Sequence, residues 1–402
     1  MRWGWLLAAG SQAAAPFTQF ATINKRSNLR RLNLDWAERD LPQRERTKHV
    51  HRLHPYLGKF VPQLAEIFLR KYRPQRVCDP FAGSGTTLVE AMALGVDSVG
   101  IDISAFNCLL MRVKTSTYDL VGLRRETDRI LDSTESILKA RKARIRSWID
   151  ESPEARLIVS NQYLREWYDP GALSELLAFQ SQIPTTKHRE FFRIVLSRAA
   201  RSARLAKHSD LDFPTKPQMT KYYCHKHDRT CYPTTAGLQF VKSYARNNLA
   251  RVEGFDRIRR SAEASVLNAD SRFAKVPEHE LLLTSPPYVG LIDYHEQHRY
   301  AYELLHLQDR SDDEIGPAKR GTSTKASDAY VSDIVAVLRN TTRSLAPDGK
   351  MVIVVADKRD LYNEIREELG ARELQRLERH VNRRTGRRAS EFTESVLVWD
   401  LP

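Results

Sequence analysis

Cysteine is scarce in this 402-residue chain: Cys78, Cys108, Cys224 and Cys231 are too few and too scattered to staple a disulfide scaffold, and they fit a reducing compartment. Long apolar runs are also missing. No stretch approaches the roughly 18–20 apolar residues of a bilayer-spanning helix, so no membrane partner is expected. The opening MRWGWLLAAGSQAAAPF carries too short an apolar run to be expected as a secretory signal. There is no internal repeat and no long low-complexity tract, which excludes a solenoid. Acidic residues are in deficit, 50 Asp and Glu against 64 Lys and Arg, for a formal charge of +14. That excess makes a polyanion the natural partner and favours nucleic acid. Hydrophobic residues still make up 41% of the chain, enough to fill the core of a large soluble domain.

The readable pattern begins near residue 60. VPQLAEIFLRKY (61–72) places Leu64, Ile67 and Phe68 on one helical face, and RVCDPF (76–81) reads as a short buried strand. After GSGT (83–86), TLVEAMALG (87–95) is a helix ended by Gly95, and SVGIDIS (98–104) is a second strand closing on Asp102. This βαβ unit predicts a parallel sheet. Residues from about 110 to 262 break the rhythm with Arg- and Lys-rich helical periodicity, as in ETDRILDSTESILKARKARIRSWI (126–149). The α/β alternation resumes with ASVLNAD (264–270), ELLLTSPP (280–287), the helical DIVAVLRNTTRSL (333–345), KMVIVVAD (350–357) behind the turn PDG, and ESVLVWDL (394–401). The expected fold class is α/β: a Rossmann-like sheet with helices on both faces, interrupted by a largely helical basic insertion. The expected division is an N-terminal extension (1–47), a catalytic domain (48–111 and 262–402) and an insertion (112–261).

DPFAGSGTT (79–87) lies between a strand and a helix, so its glycines allow a tight turn and close approach to a ligand, while the helix start offers free N–H donors. No Lys follows the second glycine, which excludes a phosphate-binding P-loop, and the spacing is not GxGxxG. Asp102, some twenty residues beyond the loop at the next strand end, matches the position from which a carboxylate accepts hydrogen bonds from ribose hydroxyls. A nucleoside cofactor is implied.

The second cluster is TSPPY (284–288). DPFAGSGTT resembles the S-adenosylmethionine (AdoMet) binding motif of the amino-group (N4/N6) DNA methyltransferases, and TSPPY resembles their catalytic tetrapeptide in its Ser-Pro-Pro-Tyr form. HPYLGKFVP (54–62) is similar to the segment that closes over AdoMet in that family, and LNAD (267–270) to the acidic strand end that holds the adenine. The resemblance spans roughly residues 48–110 and 262–400. It implies cofactor contacts at Lys59, Phe60, Asp79, Pro80, Phe81, Gly83, Gly85, Thr86, Asp102 and Asp270, and catalytic roles for Ser285, Pro286, Pro287 and Tyr288.

These residue types suit amine methylation. The exocyclic amine of cytosine or adenine is a poor nucleophile because its lone pair is delocalised into the ring. Acceptors near the two N–H groups draw the nitrogen toward tetrahedral geometry and accept its developing charge; Ser285 Oγ and the Pro286 carbonyl are the candidates. Prolines fix φ and hold the loop without an entropy cost at each turnover. Tyr288 offers a π face for a base swung out of the duplex. A sulfonium donor needs no covalent enzyme intermediate. None of the four cysteines follows a proline, which disfavours carbon-5 cytosine methylation. In the resembling family a leading Ser is typical of cytosine-N4 enzymes and a leading Asp or Asn of adenine-N6 enzymes, so cytosine N4 is expected. Adenine N6, an RNA base, or a noncatalytic nucleic-acid-binding protein on the same fold are the alternatives.

Two basic runs, KARKARIRSW (139–148) and RHVNRRTGRR (379–388), suit phosphate contacts; the second reads as a loop before the last strand, with Arg383, Arg384, Arg387 and Arg388 expected on DNA. YYCHKHDRTCYP (222–233) offers Cys224, His225, His227 and Cys231 as zinc ligands, but four ligands from so short a loop are cramped, and no metal is expected. In GLIDYHEQHRYAYELL (290–305) the spacing of Tyr294, Tyr300 and Leu304 is that of packing residues, with Asp293 and Tyr294 as possible substrate contacts. No PD…ExK-like carboxylate cluster is evident, which disfavours a fused nuclease. The expected partners are double-stranded DNA and a separate cognate restriction endonuclease, and the expected setting is the cytoplasm, at the nucleoid.

Overall fold

The computed structural model describes residues 20–36, 39–58, 60–143, 160–381 and 392–402. Lys59, Arg383, Arg384, Arg387 and Arg388 lie outside them, as does the second half of the KARKARIRSW run (144–148).

Seven strands form one sheet: β1 (Arg76–Asp79), β2 (Asp97–Asp102), β5 (Ala264–Asn268), β6 (His279–Thr284), β7 (Leu345–Val355), β8 (Arg372–Val381) and β9 (Phe392–Asp400), in the order β5-β2-β1-β6-β7-β9-β8. β5, β2, β1, β6 and β7 run parallel, and β9 is antiparallel to both β7 and β8. A separate hairpin pairs β3 (Tyr222–Cys224) with β4 (Arg229–Cys231). The central strands are apolar on both faces because helices cover both sides. Leu281, Leu283, Val352, Val354, Val396 and Val398 pack with Leu64, Ile67 and Phe68 of the Pro62–Tyr72 helix. The alternate residues Leu282, Met351, Ile353, Val355, Leu397 and Trp399 face Val331, Ile334 and Leu338 of the Thr324–Thr342 helix. The period of two along each strand decides which helix each side chain meets.

From β1 the chain winds outward to β2 and β5, and from β6 it winds outward the other way. The strand order therefore reverses between β1 and β6, and a doubly wound sheet opens its ligand crevice at the carboxyl ends of the strands flanking such a point. DPFAGSGTT follows β1 and TSPPY follows β6, so this reversal brings together two sequences some two hundred residues apart.

Two features differ from the sequence expectation. RELQRLERHV is strand β8, so the second basic run begins inside a strand (Arg379–Val381) and not in a loop. PDG does not precede β7 but lies within it, where the register against β6 jumps from His279↔Leu345 to Leu281↔Lys350. The insertion and the N-terminal extension share cores with the catalytic segments. Phe179, Phe191, Phe192 and Leu249 of the insertion share one core with Val50, Leu53, Val89, Phe106 and Tyr300, while Leu29, Leu34, Trp36 and Leu41 pack beneath the sheet.

Candidate functional site

Gly83 and Gly85 both take left-handed φ, +50° and +78°, between β1 and the Thr86–Leu94 helix. A β-carbon at Gly85 would lie 2.8 Å from Met111 Cγ and one at Gly83 3.1 Å from the Tyr56 hydroxyl, so the crowding adds to the left-handed φ that already favours glycine at both. The turn is fixed from outside by three bonds. Gly83 N–H donates to Asp102 Oδ2 at 2.8 Å, buried Lys114 donates to the Ser84 carbonyl at 2.5 Å, and Ser271 Oγ donates to the Pro80 carbonyl at 2.6 Å.

Asp102 closes β2. Its carboxylate also accepts from Ser104 N–H at 2.8 Å and Asn107 Nδ2 at 3.1 Å, and Asn107 reaches the Tyr56 hydroxyl at 3.1 Å. Burial pushes its pKa up to about 6 against these three donors, which favour the ionised form. At neutral pH it is a carboxylate with acceptor capacity left over.

Asp79 performs a different task. It is almost wholly buried at the end of β1 and accepts from Thr87 Oγ1 and Thr284 Oγ1, each at 2.6 Å, and from Phe81 N–H at 3.2 Å. Thr284 is the last residue of β6 and immediately precedes Ser285. One buried carboxylate thus ties the glycine loop to the proline loop, and burial raises its pKa to about 6 despite those hydroxyls.

A pocket with about 830 Å³ of empty space, open mouth included, fills the crevice. Phe60, Pro80, Phe81, Gly83, Thr86, Asp102, Asp270, Ser285 and Pro287 all line it; Asp79, Gly85, Pro286 and Tyr288 do not. Asp79 and Gly85 lie behind the wall, as tie and as turn. Pro286 is buried, and its carbonyl receives no protein donor among the described residues, whereas the Pro287 carbonyl accepts from Tyr330 O–H at 2.9 Å. Tyr288 packs against the cluster around Leu282 and Tyr330, its hydroxyl 3.4 Å from Glu394 Oε1 and within reach of the Ser285 side chain. Tyr294 and Tyr56 line the pocket with their rings stacked, 6.1 Å between centroids, and Phe60 and Phe81 add two more aromatic walls. Asp270 chelates Arg272, with Arg272 Nε 3.0 Å from Oδ1 and Nη2 2.7 Å from Oδ2; its burial is outweighed by this guanidinium, which holds the carboxylate below its usual range.

Several lining residues escaped the sequence reading. Tyr56 and Gly58 were inside a quoted segment but not singled out, and Asn107, Asp313, Glu314 and Ile315 carry no local signature. Glu314 is buried and accepts from His295 N–H at 2.9 Å. The only available signal was SDDEIG, an acidic run in a basic chain.

The charge of the lining is informative. Asp102, Asp270, Asp313 and Glu314 line the pocket, while Lys, Arg and His are missing from it among the described residues. In a chain of formal charge +14, this is a locally acidic site, hostile to a polyphosphate and suited to a cationic ligand carrying hydroxyls and an apolar ring. AdoMet fits: a sulfonium, a ribose and an adenine, with Asp102 at the ribose position of the doubly wound fold.

Switch point, glycine loop, strand-end carboxylate and acidic pocket together define a Rossmann-like AdoMet-dependent methyltransferase. The family model described as DNA methylase, for enzymes acting at N6 or N4, matches residues 26–112. The type II methyltransferase M.MjaII of Methanocaldococcus jannaschii is 35% identical over 90% of this chain and 83% of its own length. M.MvaI of Kocuria varians, also a type II methyltransferase, is 36% identical over 81 residues, covering 19% of this chain and 18% of that protein. Among solved structures, TrmN from Thermus thermophilus superposes with a TM-score of 0.33 at 13% identity, over 86% of this chain and 50% of that one. The chain belongs to the N6/N4 DNA methylase family of type II methyltransferases, with AdoMet as methyl donor and DNA as substrate.

Proposed function

We propose that this methyltransferase acts on the exocyclic N4 amine of cytosine in duplex DNA. The observation that carries the reading is that Ser285, leading the Ser-Pro-Pro-Tyr loop, lines the same acidic pocket as Gly83 and Asp102. AdoMet bound there supplies an electrophilic methyl group on a sulfonium. The chain's own contribution is to hold the amine. Ser285 Oγ and the Pro286 carbonyl accept its two N–H groups, and the fixed φ of Pro286 and Pro287 keeps both acceptors aimed. The pairing of the Pro287 carbonyl with Tyr330, itself 2.8 Å from the Tyr362 hydroxyl, supports this division of labour: it leaves the Pro286 carbonyl for the substrate. Tyr294, with its ring at the pocket, takes the role of packing the extruded base, while Tyr288 holds the loop from the core side.

Asp102 is assigned to the ribose, Phe60 and Phe81 to the apolar walls, and Asp270 to the adenine end. The helical insertion 112–261 is assigned to target recognition. Its hairpin exposes Tyr223 and carries Lys221, Lys226 and Arg229 at the surface, a combination suited to nucleic acid. A separate endonuclease of the same sequence specificity is the partner this role would protect DNA against.

The test is product analysis. DNA treated with the protein and methyl-labelled AdoMet, then digested to nucleosides, should yield labelled N4-methyldeoxycytidine. Labelled N6-methyldeoxyadenosine would overturn the base assignment, and no label in DNA would overturn the activity.

A further inference from the structure

The insertion holds a second cluster of chemistry, remote in sequence from the pocket residues. Cys224 and Cys231 lie on the two strands of the β3-β4 hairpin, and His227 lies in the turn between them. The sequence offered His225 as the fourth ligand, which would crowd one short loop. Folding supplies another. His225 turns its ring to Tyr223, 5.0 Å away in an edge contact, while His208, sixteen residues before Cys224, comes in from a preceding loop and sets its ring 4.8 Å from that of His227. One ligand atom from each of His208, Cys224, His227 and Cys231 lies within 4.8 Å of all the others.

Two of the ligand distances already match those around one ion. A tetrahedral zinc with bonds of about 2.3 Å to sulfur and 2.0–2.1 Å to nitrogen places its ligand atoms about 3.3–3.8 Å apart. Here His227 Nδ1 is 3.7 Å from Cys224 Sγ and 3.5 Å from Cys231 Sγ. Both cysteines are buried free thiols, and His208 Nδ1 is buried with no hydrogen-bond partner. Such an orphan nitrogen is a cost unless something accepts its lone pair.

The hairpin also needs a fastening. Its strands are three residues each, and its buried cluster consists of Tyr222, Cys224 and Cys231 alone. Two strands with so little apolar surface are marginal in water. Loop and hairpin meet here through the His208 N–H donated to the Tyr222 hydroxyl at 3.0 Å.

We propose that His208, Cys224, His227 and Cys231 bind one structural Zn²⁺ that rivets the β3-β4 hairpin to the loop before it. Two thiolates and two imidazoles balance the charge of the ion and leave no open position, so the site is structural and not catalytic. Binding displaces the two thiol protons to solvent.

The full-length protein, purified without chelator, should contain one zinc per chain by elemental analysis. Its Co²⁺-substituted form should show the intense visible absorption of a tetrahedral site and a thiolate charge-transfer band. Cys231→Ser and His208→Ala should lose the zinc, while His225→Ala should keep it. Should the ligand variants fail to fold, titration of the unsubstituted protein decides the matter: mercurial modification of its thiols should release one equivalent of zinc to a colorimetric chelator, and all four cysteines should titrate as free thiols after denaturation in chelator. Absence of bound metal after equimolar Zn²⁺ addition, an octahedral cobalt spectrum, a Cys224–Cys231 disulfide, or zinc loss in His225→Ala with retention in His208→Ala would each overturn the proposal.

Discussion

Two carboxylates at the ends of adjacent strands have the same raised pKa and opposite duties. Asp102 faces the pocket, and burial holds its pKa at about 6. The proposed contact to the ribose requires Asp102 to be ionised, so AdoMet affinity is expected to be full above that value and to fall as pH drops through it. Asp102→Ala should weaken AdoMet by about 1.5–3 kcal/mol at pH 8, the worth of a charged hydrogen bond. Asp102→Asn should weaken it and also flatten the acid limb, both measured by calorimetry across pH 5–8. An unchanged limb in the Asn variant would remove Asp102 from the ribose contact. Asp79 never meets the pocket, and its duty belongs to the scale of strands.

At that scale, the Thr87–Asp79–Thr284 bridge joins the ends of β1 and β6. The pKa of Asp79 is raised to about 6, so the folded chain holds its proton more tightly than the unfolded chain; this group favours the fold most below about pH 4, and that contribution is lost as pH rises through 6. Thr284→Val removes one donor from the carboxylate and should cost about 1–3 kcal/mol once Asp79 is ionised. The urea midpoint of the variant should therefore trail the parent more at pH 8 than at pH 5; an equal gap at both would mean the bridge carries no charge-dependent stability. Much of this arrangement was legible in the sequence, because a glycine turn, a strand-end acid and a proline loop are each written in consecutive residues. Strand β8 was not. RELQRLERHV is an edge strand with one face largely solvated, so its charges mask the alternation that betrayed β7 and β9. Tyr56, Asn107 and Glu314 were missed for a different reason: tertiary packing alone brings them to the pocket, and no spacing announces it. The pairing of His208 with the β3-β4 hairpin escaped in the same way.

The molecule as a whole separates its charges. It carries a formal charge of +14 while its pocket is lined by four acids, an arrangement that draws a polyanion to the surface and a cationic donor to the crevice. DNA affinity should fall steeply with salt, with a log–log slope of about −0.9 per phosphate neutralised, whereas AdoMet affinity should change little over the same range. A flat DNA dependence in filter-binding or fluorescence titrations would show that the basic excess lies away from the nucleic acid. The proposed catalysis depends on Ser285 gripping the amine at a pocket built by other residues. Single-turnover transfer and AdoMet affinity, measured on the same preparation of Ser285→Ala, test this most directly. Transfer should drop by roughly 10²–10³, as for the loss of one preorganised hydrogen-bonding group, with AdoMet affinity nearly unchanged. Transfer at the parent rate, or cofactor binding lost in equal measure, would contradict it.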